Sequence, residues 1–161
     1  MRLPVSRPGP RYEALLELLR VAEALWEASR AFFARWGLSP SQFNVLNLLR
    51  AAPDELSQND LGRALIMHRS NVTGLVDRLE VRGLVARKER AAARRAWRVV
   101  LTPRGGGLLH QVLPPYYRVA EKVWGDLLLT RTRGLVAELR GLACHAEQMV
   151  AAHEEAHERP T

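Results

Sequence analysis

Residues 56–105 read LSQNDLGRALIMHRSNVTGLVDRLEVRGLVARKERAAARRAWRVVLTPRG. Ser57 with Asp60 three residues on is a helix start, and Leu61, Ala64 and Leu65 are expected to face inward from the short helix behind it. After a brief turn through Ile66, Met67 and His68, the spacing predicts a second helix over 69–82. Its apolar face is Val72, Leu75, Val76 and Leu79, and Gly83 ends it. Two short strands are expected next, 84–88 and 97–101, the second with Trp97, Val99 and Leu101 on one face and Arg98 on the other. The run that joins them, RKERAAARRAW at 87–97, holds five basic residues and one acid. Two short helices joined by a tight turn and followed by a basic hairpin make a winged helix-turn-helix. The arginine-rich run is then the tip of the wing, where exposed charge reaches a phosphate backbone or a minor groove.

Outward from this stretch the chain is helical. A first helix over 12–36 carries Leu15, Leu18, Leu19, Ala22, Leu25, Trp26, Phe33 and Trp36 on one face, with Phe32 widening the stripe and Gly37 as its stop. Ser39, Pro40 and Gln42 form a second start, for a short buried helix that stops before Pro53. Thr102 and Pro103 open a helix that Pro114 and Pro115 are expected to kink or interrupt. A last helix has Leu135, Val136, Leu139, Leu142, Ala143, Ala146, Met149 and Val150 on one stripe, and the polar tail after it is expected to fray. The fold class is mainly α with a small β-hairpin wing. Long amphipathic helices at both ends suit packing on a second subunit.

Composition sets the outer limits. The chain has 161 residues, 47% of them apolar and 25% charged, enough for one domain with a core. It has no run of about 18 apolar residues, and the first ten lack the apolar stretch of a secretory signal. The single cysteine, Cys144, precludes an internal disulfide and suits a reducing cytoplasm. Net charge is +7, and residues 82–104 hold eight basic residues against one acid, leaving sixteen of each elsewhere. Positive charge concentrated in one segment favours a polyanionic partner, with nucleic acid ahead of membrane headgroups.

The residue types on the predicted second helix fit that partner. Opposite its apolar face stand Arg69, Ser70, Asn71, Thr73, Gly74, Asp77 and Arg78. Asparagine pairs with adenine, arginine with guanine and the threonine methyl with thymine, and a glycine lets the backbone approach the groove wall. Asp77 would repel phosphate and is expected to pair with an arginine. Ser57 and Gln58, at a helix N-terminus, are placed for phosphate contact or for capping.

The pattern resembles the MarR family of bacterial transcriptional regulators. It combines the SNVTGLVDRL helix, the RGLV after it, then RRA and LTPRG. The motifs cover about 38–105, and the flanking helices extend the likeness over nearly the whole chain. The resemblance implies one domain over 1–161, with a winged-helix lobe at 38–104 and dimerisation helices at 10–37 and 105–155. It also implies a cytoplasmic homodimer on double-stranded DNA, a repressor released by a ligand, with a recognition helix in the major groove and a wing at the minor groove. Arg90, Arg94 and Arg95 would then belong to the wing's DNA contacts. The family usually carries an aspartate before the Arg-Arg pair, where this chain has Ala93, and often an earlier acid, where it has Arg90. Such a wing is more basic and less pre-ordered, and should add sequence-independent affinity.

For an effector, Trp26, Arg30, Phe33, Asn44 and Tyr116 are the candidate contacts, an arginine beside aromatics suiting a small aromatic or phenolic molecule; the same residues read more readily as core and dimer contacts. No cofactor or metal is expected. HEEAH at 153–157 matches H-E-x-x-H formally but lacks an apolar setting and a third ligand. Gly105, Gly106 and Gly107 lack the Lys-Ser/Thr of a phosphate loop and read as a hinge or a weak helix start. Cys144, on the last apolar stripe, reads as a buried structural thiol. No nucleophile, base and cleft assemble into an enzyme. The reading from another class is a winged-helix protein-interaction module without specific DNA binding.

Overall fold

The computed structural model describes residues 9–52, 55–65, 69–89 and 97–157, with side chains described except at 69–70, 89 and 152–157. Helix α1, Pro10–Phe33, is followed by a 3-10 turn, Ala34–Trp36, and then by α2, Pro40–Ala51. A two-residue strand β1, Leu56–Ser57, leads into α3, Gln58–Leu65, and α4, Arg69–Val81. The hairpin strands are β2, Val85–Glu89, and β3, Trp97–Leu101, after which come α5, Pro103–Trp124, and α6, Leu129–His157. The chain divides into two compact units, Met1–Pro115 and Tyr116–Thr161. Among the described residues, no helix is long and apolar enough to cross a membrane.

Local chemistry explains the boundaries. Ser39 caps α2 as expected: its Oγ accepts from the Gln42 N–H at 3.2 Å, while its own N–H donates to Gln42 Oε1 at 2.9 Å. Helix α1 stops at Phe33, short of the expected end at Trp36, because the chain tightens into the 3-10 turn at Ala34 and reverses at Gly37, whose φ is 63°. Helix α4 stops at Val81 and the chain turns away at Gly83, φ 67°, where Leu84 N–H returns to the Leu79 carbonyl at 2.9 Å.

Strand β1 is absent from the sequence reading. It pairs antiparallel with β3, Leu56 opposite Val99 and Ser57 opposite Arg98, so the wing is a three-stranded sheet in the order β1-β3-β2. Within the hairpin, Val85 faces Leu101 and Glu89 faces Trp97. Val99 is buried, as its alternation requires, but Trp97 is 52% exposed because it lies at the open end of the sheet. On α3, Leu61 and Gly62 are buried and Ala64 is exposed, so this one-face helix turns its glycine rather than its alanine inward.

Pro114 and Pro115 do not interrupt α5. The carbonyls they leave without helical donors belong to His110 and Gln111, both exposed residues. Nor does α6 end before the polar tail: the helix continues to His157. The first unit is built on Phe33, Phe43, Leu46, Leu61, Val72, Val76, Leu79, Val85, Val99 and Leu109, each essentially inaccessible to solvent.

Candidate nucleic-acid interface

Ser57 is at once the last residue of β1 and the cap of α3. Its Oγ accepts from the Asp60 N–H at 3.1 Å, and the Asp60 carboxylate accepts from the Ser57 N–H at 2.9 Å and the Ser57 hydroxyl at 2.6 Å. Arg98 of β3 donates to the same carboxylate at 3.2 Å. The Ser57 hydroxyl first, then its N–H, Arg98 and Arg63 hold the Asp60 carboxyl below its ordinary value, against the opposing effect of burial. A lowered folded value contributes stability above the unfolded value of about 3.9, and that stability is lost as pH falls through the folded one. Asp60→Asn should therefore be less stable than wild type at pH 7. The gap should close as urea melts are repeated downward through about pH 4.

A second network joins the wing to α4. The Arg87 guanidinium pairs with Asp77 and Glu80, and the Arg87 N–H donates to Glu80 Oε1 at 3.0 Å. The Gln58 amide completes the set once it is oriented by its neighbours: the Arg87 guanidinium offers only donors, so the amide oxygen is assigned to face it, accepting from Nη2 and Nε at 3.1 and 3.2 Å, and the amide nitrogen then donates to Thr73 Oγ1 at 3.1 Å. Burial pulls the Arg87 pKa down, but the bonds to Asp77 and Glu80 outweigh it and hold the cation above its ordinary value. Asp77 thus has the arginine partner expected of it.

These pairs correct the charge count made along the chain. The segment 82–104 lacks counter-charge only in sequence. In space Arg87 meets Asp77 and Glu80, Arg98 meets Asp60, and Lys88 meets Glu55 at 3.5 Å. Arg82 donates to the Gly37 and Trp36 carbonyls at 2.6 and 3.0 Å, tying the end of α4 to the turn before α2. Most of the described cations here serve the fold. Arg104 is exposed, and the rest of the excess that could meet a polyanion belongs to Arg90, Arg94 and Arg95, which lie outside the described residues, as does Ala93.

On the outward side of α4, Asn71 and Arg78 are exposed and Thr73 and Gly74 half-buried. Arg69 and Ser70 begin the same helix, their side chains outside the described set. A Cβ on Gly74 would meet nothing nearer than the Arg78 guanidinium at 3.6 Å, so the fold itself does not require glycine there. Ser57, Gln58 and Thr73 are brought together at one edge of this helix pair.

Of the candidate effector contacts, Phe33 is 1% exposed and stacks on Phe43 with ring centroids 4.3 Å apart. Trp26 and Arg30 are exposed on α1, Arg30 paired with Glu27 at 3.2 Å, and Asn44 is exposed on α2. Tyr116 is half-buried and opens the second unit. Cys144 is exposed, contrary to expectation, because the apolar stripe of α6 is uncovered in a single chain. His153 and His157 lie on α6 with side chains outside the described residues.

Helices α3 and α4, three residues apart and backed by the three-stranded sheet, make this a winged helix-turn-helix protein. Residues 36–96 match the model of the MarR family. The chain is 30% identical over 143 residues to the transcriptional repressor MprA of Escherichia coli (strain K12), covering 87% of this chain and 81% of that protein. It is similar to the structure of the transcriptional repressor CouR bound to a 23-mer DNA duplex, with TM-score 0.71, 28% identity, and 79% and 89% of the two chains covered. It is also similar to BpsR of Bordetella bronchiseptica, whose DNA binding is regulated by 6-hydroxynicotinic acid, with TM-score 0.65, 26% identity, and 79% and 98% covered. The chain belongs to the MarR family, a family of transcriptional regulators and not a class of enzymes.

Proposed function

We propose that the chain is a sequence-specific DNA-binding repressor that acts as a cytoplasmic homodimer on a pseudo-palindromic duplex. The observation that carries this is the outward side of α4, where Asn71, Thr73 and Arg78 flank a glycine with no packing duty. Asn71, Thr73 and Ser70 read base edges near the start of the helix, with Arg78 further along, while Arg69 and the wing arginines Arg90, Arg94 and Arg95 meet phosphate or the minor groove. Ser57 and Gln58 act chiefly through the α3 cap and the Arg87 network. The dimer would set two such helices about 34–36 Å apart, one turn of DNA.

Uncovered apolar side chains support the dimer. Tyr12, Leu15, Leu18, Leu19 and Leu25 are exposed on α1, and Leu142, Met149 and Val150 on α6. On this reading 38–104 is the DNA-binding lobe of a single domain, and 10–37 and 105–155 are its dimerisation helices. A small aromatic or phenolic effector, near Trp26, Arg30, Phe33 and Asn44, would relieve repression. BpsR supplies the precedent for an aromatic effector. A protein-interaction module would have no use for base-reading types on α4 or for the arginine-rich tip.

The test is fluorescence anisotropy near physiological salt on the DNA upstream of its own coding sequence, on a duplex enriched from a random pool, and on a scrambled duplex of equal length. A preference of about a thousandfold or more for one of the first two is expected. Arg94→Ala should make the salt dependence shallower by about one unit of slope. No enriched duplex and no preference would replace the DNA reading with the protein-partner one.

A further inference from the structure

We propose that Arg87 is a positioning residue for DNA recognition, making no contact with DNA and acting through Gln58 to fix Thr73 on the outward side of α4. The proposal rests on the DNA-binding reading above. Sequence position suggests the opposite role, since Arg87 opens the basic run of the wing. Its guanidinium is nonetheless already committed: Asp77 and Glu80 take its charge, and the Gln58 oxygen takes two further N–H bonds. Only 18% of the side chain is exposed. A cation opposed by two carboxylates is a poor phosphate ligand, because a phosphate approaching it also meets Asp77, whose side chain is 53% exposed.

What the cluster does instead follows from geometry. Arg87 orients the Gln58 amide, and an oriented amide donates to Thr73 Oγ1. Threonine is stiff at χ1, so fixing its oxygen also fixes its methyl, the group that distinguishes thymine from cytosine. Arginine suits the task because its planar fork reaches three acceptors at once, which a lysine ammonium on a single stem does not.

The experiment compares wild type, Arg87→Lys, Gln58→Met, Thr73→Val and the double variant Arg87→Lys/Thr73→Val on the enriched and the scrambled duplex, across a salt series. Each is used below its own thermal transition, and Gln58→Met leaves the ion pairs untouched should Arg87→Lys be poorly folded. Arg87→Lys and Gln58→Met should each lose tenfold or more of the preference for the enriched duplex, keep scrambled-duplex affinity within threefold, and leave the salt slope unchanged. The double variant should lose less than the product of the two single losses, since both act on one contact. A loss equal on both duplexes with a slope shallower by about one would make Arg87 a direct phosphate ligand and overturn the proposal. Undiminished preference, or losses that multiply, would overturn it too. A wild-type chain with no preference would instead bring down the DNA reading beneath it.

Discussion

Gly105→Ala should cost about 3 kcal/mol or more of folding stability, the upper end of what overpacking does. A Cβ at this position would lie 2.1 Å from the Leu84 carbonyl oxygen and 2.8 Å from Leu101 Cδ1. The first of these is backbone, fixed by the turn after Gly83 and by the bond from Thr102 N–H to the same oxygen at 3.2 Å. The helix start is pinned as well, Gly105 N–H donating to Thr102 Oγ1 at 3.0 Å while that hydroxyl donates to the Gly83 carbonyl at 2.7 Å. Neither wall can retreat without opening the junction between hairpin and α5. Thermal unfolding should fall by about 6–12 °C for a chain of this size. Gly107 is the control, because a Cβ there meets nothing within 4 Å. Gly107→Ala should gain up to about 1 kcal/mol of helix propensity, and equal losses in the two variants would remove the packing argument.

Phe43→Ala should cost about 3–5 kcal/mol. Phe43 is 2% exposed and stacks on Phe33 with the rings 22° apart. Phe33 is the buried residue of α1, so this pair is the main apolar anchor of α1 on the winged lobe. Truncation leaves a ring-sized void and removes the partner of that anchor. Limited proteolysis should then cut α1 sooner than the lobe, and urea melts should show the full loss. A loss below about 1 kcal/mol would mean that the void collapses and that α1 is held elsewhere.

The parts legible in the sequence were those with local causes. Ser39 and Gln42 announce their capping box, Ser57 and Asp60 theirs, and Gly83 its left-handed stop, each within four residues of chain. The apolar face Val72, Leu75, Val76 and Leu79 is legible because helical spacing alone places it, and all four are buried. What escaped depends on partners distant along the chain. Strand β1 is two residues long, too short to alternate, and exists only because β3 lies beside it. Gly105 reads as a weak helix start until the Leu84 carbonyl, twenty-one positions earlier, is found against it. Counter-charges for the wing come from Glu55, Asp60, Asp77 and Glu80, all outside the basic run itself. The apolar stripe around Cys144 implies a covering surface, but the stripe does not say that the surface belongs to the same chain, and Cys144 is exposed.

Strand β2 is an edge of the sheet, and an edge ordinarily invites another strand. Here the Glu80 carboxylate already occupies the amide of Arg87, midway along that edge, and the opposite edge, β1, is only two residues long. Neither side offers a usable template for backbone pairing. Growth into fibres or swapped hairpins is thereby discouraged, and self-association is left to helix surfaces, where side-chain fit decides which copies meet. Such an assembly can diverge in partner choice by surface substitution alone, without disturbing the hairpin.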